Sequence, residues 1–204
     1  ASLMGRPPIV ISPYDAELFG HWWFEGPQWL DFLFRKIAFD QADVKLITPG
    51  EYLDLGYPLQ LAEPNPSSWG DKGYHEVWLN GSNDWLYRHL HKAAADMIRL
   101  ATAHPRAEGL LERALRQAAR ELMLAQSSDW PFIMTSGTTV EYARSRAVSH
   151  LVRFRLLQRQ IDEGNIDAEW LKRLEEADNI FPQLDYRLYQ DFESSVPAGI
   201  AGVV

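Results

Sequence analysis

The 204-residue chain contains no cysteine, which excludes disulfide bonds and thiolate chemistry and is typical of a reducing compartment. It also has no long apolar run, because its apolar stretches are strand-sized and a membrane-spanning helix needs roughly 20 residues. Residues 1–8 show neither the basic nor the apolar region of a secretory signal. These absences predict a cytoplasmic globular protein without a membrane span.

A surplus of basic charge is missing as well. The 20 Lys and Arg residues stand against 28 Asp and Glu residues, which gives a net charge of −8. This balance argues against a surface that follows nucleic-acid phosphates, so we expect no nucleic-acid partner. Five arginines lie along one predicted helix that also bears an apolar stripe, and a solvated face is their simplest interpretation: Arg144, Arg146, Arg153, Arg155 and Arg159.

Motifs for metals and cofactors are weak. His89 and His91 lie in a predicted helix, where side chains two residues apart point in different directions, so they form a poor chelate. The segment 135–139 lacks the glycine spacing and the lysine of a phosphate-binding loop, and the chain has no nucleophile elbow. We therefore predict no metal site and no cofactor.

Tryptophan, in contrast, is abundant, since the chain has eight. Most of them lie among Gly, Pro, Asn and other polar residues rather than in helical stripes, which indicates ligand contact. Trp85 and Trp170 lie on predicted helical faces and are expected in the core, and Trp130 is expected to pack rather than to contact a ligand.

The N-terminal quarter of the chain has a strand, helix, strand pattern. Residues 9–12 and 44–47 are short apolar runs typical of buried parallel strands, and a helix from Gly26 to about Asp40 lies between them. Thr48 and Glu51 then form a capping box for a second helix. Two parallel strands cannot satisfy their own backbone groups. Either they pair with strands outside this chain, or the strand prediction is wrong.

The rest of the chain is predicted to be helical after a loop over 56–80 that retains aromatic residues. Helices are expected over 82–103, 106–126, about 140–161 and 167–177, with a break at 127–132 and a cap at Thr138 and Thr139. The fold class is therefore α/β followed by an α-helical part. We predict three parts: 1–56, a helical domain over 57–193 and a frayed tail over 194–204.

Asp15 is the first candidate for catalysis, because it follows the first predicted strand and parallel folds place catalytic groups at that end. A carboxylate among indole rings is poorly solvated when charged, which suits it to donate a proton. A turn or a helix cap is the alternative. Glu17 is expected to interact with His21 or with a backbone donor rather than to pair with Asp15 in catalysis.

The loop around Trp69 and Trp78 is the second candidate site. Indole faces match the apolar C–H face of a sugar ring, and Gly70 and Gly73 let the backbone approach closely. Alternatively, the two tryptophans only fix the loop to the core. Asp129 is a third candidate, either as an acceptor for sugar hydroxyls or as a cap for the segment that follows.

Three segments in this order closely resemble glycoside hydrolase family 57, and within it the C-terminal part of the 1,4-α-glucan branching enzymes. They are YDAELFGHWW at 14–23, the stretch from SWG at 68–70 to WLN at 78–80, and SSDWPF at 127–132. The resemblance spans nearly the whole chain. It implies the last strands of an incomplete (β/α)7 barrel followed by an α-helical domain.

The resemblance also implies a retaining mechanism in which Asp15 is the general acid/base. It implies that Trp69 and Trp78 contact the glucan and that Asp129 accepts sugar hydroxyls, while His21 and Trp22 line the site. The family's nucleophilic glutamate lies earlier in the barrel and is absent from this chain, so the N-terminal barrel portion of the same enzyme is an expected partner. An α-1,4-glucan is the expected substrate.

Two alternatives remain beside the branching enzyme. The first is another enzyme of the same family, an α-amylase or a 4-α-glucanotransferase. The second is a non-catalytic glucan-binding or helical interaction module.

Overall fold

A computed structural model describes residues 5–191 and shows a mostly helical chain. It forms two compact units, Ala1–Pro64 and Asn65–Val204. Within the described range, no helix is long and apolar enough to cross a membrane. The predicted tail over 194–204 lies outside the described residues. Seven α-helices occur between residues 5 and 191: α1 (Gly26–Phe39), α2 (Pro49–Asp54), α3 (Asp84–Ala103), α4 (Gly109–Ala125), α5 (Asp129–Ser136), α6 (Val140–Glu163) and α7 (Ala168–Ala177).

The predicted parallel strands are not formed in the first unit. Residues 9–12 and 44–47 belong to no strand ladder, and the bridge found within 5–191 is an isolated one between Phe19 and Trp23. Val10 is 89% exposed instead of buried on two faces. Two such short segments cannot make a stable sheet by themselves. Residues 5–191 therefore do not form the barrel strands of the predicted fold.

The two helices of the first unit follow the sequence prediction. Helix α1 ends within one residue of the predicted Asp40. At α2, the Thr48 hydroxyl accepts from the Glu51 N–H at 3.2 Å, and the Glu51 carboxylate accepts from the Thr48 N–H at 2.8 Å. This reciprocal pair confirms the predicted capping box. The Thr48 backbone N–H holds the pKa of Glu51 below its ordinary value.

The second unit buries one apolar core among α3, α4, α5, α6 and α7. Helix α4 packs against α6, and both helices bury alanines, whose small side chains suit close helix packing. A short 3-10 segment, Tyr186–Tyr189, closes one side of the core, where the buried Tyr186 hydroxyl accepts from the Ala107 N–H at 3.2 Å. The chain thus returns to α3 and α4 after α7.

Two local predictions in this unit are wrong. Residues 127–132 do not simply interrupt the helices, because α5 starts at Asp129. Pro131 fits there, since the first-turn N–H groups of a helix have no intrahelical partner. Helix α6 begins after Thr139 as predicted, but the Thr139 side chain makes no capping hydrogen bond.

A buried polar network joins α4, α6 and the segment after α7. The Gln117 amide donates to Glu121 at 2.9 Å and to the Asp178 carbonyl at 3.2 Å. Glu121 is also 2.7 Å from Nδ1 of His150. Arg120 donates to backbone carbonyls over 180–182, and its burial lowers the pKa of its guanidinium. These contacts fix the chain that follows α7.

Candidate functional site

Three aromatic rings of the second unit lie together. The ring centroids of Trp69 and Trp78 are 6.3 Å apart, and Phe132 of α5 is 6.0 Å from each of them. Trp69 is 74% exposed, while Trp78 and Phe132 are half-buried. We call Trp69, Trp78 and Phe132 the aromatic platform.

The hydroxyl of Ser68 holds the loop that presents the platform. Its Oγ accepts from the Trp78 indole N–H at 3.0 Å and from the Gly70 N–H at 3.0 Å, and it donates to the Tyr74 carbonyl. A Cβ on Gly70 would lie 2.9 Å from the Tyr74 oxygen and 3.1 Å from the Trp78 indole nitrogen. The loop therefore requires glycine at this position because of close approach. Tyr87 adds a hydrogen bond from its hydroxyl to the Trp78 carbonyl.

Polar side chains join this loop to α5. The Asn83 amide donates to the Val77 carbonyl at 3.2 Å and to the Pro131 carbonyl at 3.3 Å. The Thr135 hydroxyl donates to the Val77 carbonyl at 2.7 Å and accepts from the Asn80 amide at 2.8 Å. Because Phe132 belongs to α5, these bonds fix its ring relative to the two tryptophans.

The platform can offer rigid apolar faces to a ligand. Since the Trp78 N–H is already bonded to Ser68, this ring offers its face rather than its polar edge. Trp69 is the exposed ring of the platform, whereas Trp78 is half-buried and also holds the loop through its N–H. Sequence reasoning missed Phe132 and Ser68. Both lie close to residues that the sequence analysis did select. Ser68 precedes Trp69, and Phe132 ends the segment that contains Asp129.

Asp129 lies in the second unit, exposed at the first residue of α5. The Ser127 hydroxyl donates to its carboxylate at 2.8 Å, which leaves acceptor capacity on the other oxygen. Trp130, the next residue, is 9% exposed and donates its indole N–H to the Leu124 carbonyl at 2.7 Å. It packs in the core, as its sequence predicts.

The remaining predicted site residues, Asp15, His21 and Trp22, lie in the first unit. Asp15 precedes a 3-10 helix, Ala16–Leu18, without capping it through its side chain. It is exposed, so residues 5–64 do not provide the burial among indole rings that the sequence suggested. The Glu17 carboxylate accepts from the Trp22 indole at 3.0 Å, and the His21 ring lies edge-on to that indole at 5.1 Å. The side-chain partner of Glu17 is thus Trp22 rather than His21.

One buried group in residues 5–191 has the spacing of metal ligands. Ligand atoms of Glu121, His150 and Asp178 lie within 4.8 Å of one another. Arg153 forms an ion pair with Asp178, and Arg146 lies 4.0 Å from the same carboxylate. Two guanidinium groups disfavour a further cation, so this cluster fits a structural polar network.

Residues 89–189 match a family model described as "1,4-alpha-glucan branching enzyme, C-terminal". The chain is 34% identical over 183 residues to a 1,4-alpha-glucan branching enzyme of Thermococcus kodakarensis, which covers 87% of this chain and 27% of that protein. The chain thus spans about a quarter of the length of this curated relative.

Solved structures show the same similarity. The crystal structure of a GH57 branching enzyme from Thermococcus kodakaraensis, in complex with glucose and additives, superimposes with a TM-score of 0.73 and 32% identity, over 93% of this chain and 35% of that one. An alpha-amylase of Thermotoga maritima gives a TM-score of 0.66 and 43% identity, again over 93% of this chain and 35% of that one. The chain therefore belongs to glycoside hydrolase family 57, and it corresponds to the C-terminal region of the 1,4-alpha-glucan branching enzymes of that family.

Proposed function

We propose that this chain is the C-terminal part of a retaining α-1,4-glucan branching enzyme that forms α-1,6 branches, and that its aromatic platform binds the glucan. The observation that carries this proposal is the platform itself, three rings held at fixed spacing with Trp69 open to solvent. A glucan is a chain of sugar rings with apolar C–H faces, and such faces stack on aromatic rings. The related Thermococcus structure contains glucose.

The platform explains why transfer to a sugar would compete with hydrolysis. A glucan chain stacked on Trp69 and Trp78 presents its hydroxyls at a high local concentration, whereas water gains nothing from the rings. Asp129 adds a carboxylate oxygen that can accept a sugar hydroxyl. An acceptor oriented in this way favours a new glycosidic bond over release of a reducing end.

Asp15 is proposed as the general acid/base. It protonates the departing 4-oxygen of the donor chain while a glutamate attacks the anomeric carbon, which forms a covalent glycosyl-enzyme and breaks the α-1,4 bond. Asp15 then accepts the proton of an acceptor 6-hydroxyl, whose oxygen displaces the glutamate and forms the α-1,6 bond. His21 and Trp22 line this site, and Glu17 holds the Trp22 indole through its carboxylate.

We assign residues 1–56 to the end of the catalytic barrel and residues 57–193 to the helical C-terminal domain. In the family, the nucleophilic glutamate belongs to the N-terminal barrel portion, so the complete polypeptide that carries this sequence is the catalytic unit. Its product would be a glycogen-like glucan made in the cytoplasm.

A second candidate is hydrolysis. It is favoured by the 43% identity to the Thermotoga alpha-amylase, which exceeds the identity to the Thermococcus branching enzyme. Both candidates use the same acid/base and the same platform, so they differ in whether a glucan or water attacks the covalent intermediate.

The experiment incubates the complete natural polypeptide with amylose and measures α-1,6 linkages by proton NMR beside the release of reducing ends. Branching predicts new α-1,6 linkages with few reducing ends, and Trp69→Ala should shift the balance towards hydrolysis. Reducing ends without α-1,6 linkages would overturn branching in favour of hydrolysis. Glucan binding without either product, unchanged in Asp15→Asn, would show a binding module.

A further inference from the structure

A cluster of positive charge without an acidic partner lies where α3 and α6 pack together. Arg155 of α6 is 3.2 Å from Nδ1 of His89 on α3, and Arg88 is the neighbour of that histidine. No carboxylate among residues 5–191 forms an ion pair with Arg88 or Arg155.

Several other cations of α3 and α6 have a carboxylate partner. Arg99 of α3 pairs with Asp162 at 2.8 Å, Arg153 of α6 pairs with Asp178, and Lys92 pairs with Asp96. Carboxylates thus lie beside some cations of these two helices, but not beside Arg88 or Arg155.

The contact between Arg155 and His89 fixes the state of the imidazole. A guanidinium can only donate, so Nδ1 of His89 is the acceptor and the ring proton resides on Nε2. Burial, and then the charges of Arg155 and Arg88, lower the pKa of His89. The cluster thus has two guanidinium groups and a neutral imidazole N–H, all of which are hydrogen-bond donors.

Next to this cluster, Trp85 extends the same face of α3. Its ring centroid is 6.4 Å from that of His89, and the Arg144 guanidinium lies 5.8 Å from the Trp85 centroid. Arg144 is a third cation for which no ion pair is found within 5–191. Guanidinium groups without a carboxylate partner attract anions.

We propose that Arg88, His89 and Arg155 bind a tetrahedral phosphate dianion, either free or as a phosphate monoester. Guanidinium groups bind phosphate through charge-assisted hydrogen bonds, and two of them with one N–H donor suit its several oxygens. The site is separate from the aromatic platform in its residues and does not depend on the proposed glucan chemistry. A phosphorylated sugar is one example of such a phosphate monoester.

The test titrates the complete polypeptide that carries this sequence with inorganic phosphate, with glucose 6-phosphate and with glucose, and follows the imidazole resonances of His89 by NMR. His89→Gln assigns those resonances. Both phosphates should shift them saturably, and glucose should not. Tighter binding of glucose 6-phosphate would show that an ester is the ligand, and equal or weaker binding would show that the free anion is.

Arg155→Gln should weaken phosphate binding roughly tenfold or more, because a hydrogen bond to a charged group is lost. Arg173→Gln is the matched control, since Arg173 of α7 is exposed and forms no ion pair within residues 5–191. It should leave the affinity unchanged. The proposal is overturned if phosphate does not shift the His89 resonances, or if both variants weaken binding equally.

Discussion

The indole N–H of Trp78 donates to the Ser68 hydroxyl at 3.0 Å, across ten positions of the chain. The same hydroxyl accepts from the Gly70 N–H, so a single oxygen fixes both the ring and the backbone that leads to it. This bond explains how a loop whose regular structure is one short 3-10 turn, Asp71–Gly73, holds two large rings at a fixed spacing.

Ser68→Ala should weaken glucan binding without unfolding the chain. The variant removes the acceptor for two N–H groups, and each such bond contributes about 0.5–1.5 kcal/mol. We expect affinity for maltoheptaose to fall several-fold while the melting temperature falls by only a few degrees. Ser67→Ala is the matched control, because Ser67 is exposed. Equal affinity of the two variants, measured by tryptophan fluorescence, would refute the role of Ser68.

Gly70→Ala should disturb the platform through steric contact alone. The new methyl group would lie 2.9 Å from a backbone oxygen, a distance that requires the loop to move. Gly81→Ala is the control, since nothing lies within 4 Å of a Cβ at that position. Titration with maltoheptaose should show weaker binding for Gly70→Ala and normal binding for Gly81→Ala. Normal binding by both variants would mean that the loop tolerates the shift.

The two tryptophans Trp69 and Trp130 should behave in opposite ways when replaced by alanine. Trp130 is buried, so its loss should destabilise the fold by about 3–5 kcal/mol and lower the melting temperature by roughly 10 °C. Trp69→Ala should leave the melting temperature near that of the wild type and reduce glucan affinity. Calorimetry measures the change in melting temperature, and a titration with maltoheptaose measures the change in affinity. Together they distinguish the roles of the two tryptophans. A large loss of stability in Trp69→Ala would indicate an anchor instead of a ligand contact.

Stability should fall in acid partly through Asp185. The backbone N–H of Arg187 donates to this carboxylate at 3.0 Å, and that bond, then the Arg187 side chain, lower the pKa of Asp185. A lowered pKa in the folded state gives stability that is fully present above the ordinary value of about 3.9. That contribution disappears as the pH falls through the lowered value.

The comparison with Asp185→Asn isolates this contribution. The wild type should melt at a higher temperature than the variant at neutral pH, and the difference should shrink as the pH approaches roughly 2. A difference that stays constant over this range would contradict the assigned role of the carboxylate.

The helices were predictable because their signals are local. The apolar periodicity and the Thr48 capping box lie within a few residues of the elements that they specify. Helix α5 was missed because a proline at its third residue is typical of a break as well as of a first turn. Residues 9–12 alone could not decide whether they form a strand, because a strand needs hydrogen-bonding partners from distant residues.

The candidate site was predictable only as far as its residue types. Trp69 and Trp78 stand out among glycines and polar residues. The position of Phe132 depends on Asn83 and Thr135, which are 52 positions apart and meet only in the folded chain. Likewise, the contact of Arg155 with His89 spans 66 positions. Such contacts follow from the packing of α3 against α6 and from the hydrogen bonds between Asn83, just before α3, and α5, and no short motif encodes them.

The most direct test of the account is the branching activity of Asp15→Asn in the complete polypeptide that carries this sequence. The variant keeps the size of the side chain but cannot exchange a proton at the glycosidic oxygen. We predict that it forms no α-1,6 linkages from amylose, measured by proton NMR, while its melting temperature and its affinity for maltoheptaose match those of the wild type. Substantial α-1,6 formation by Asp15→Asn would contradict the assignment of Asp15 as the acid/base.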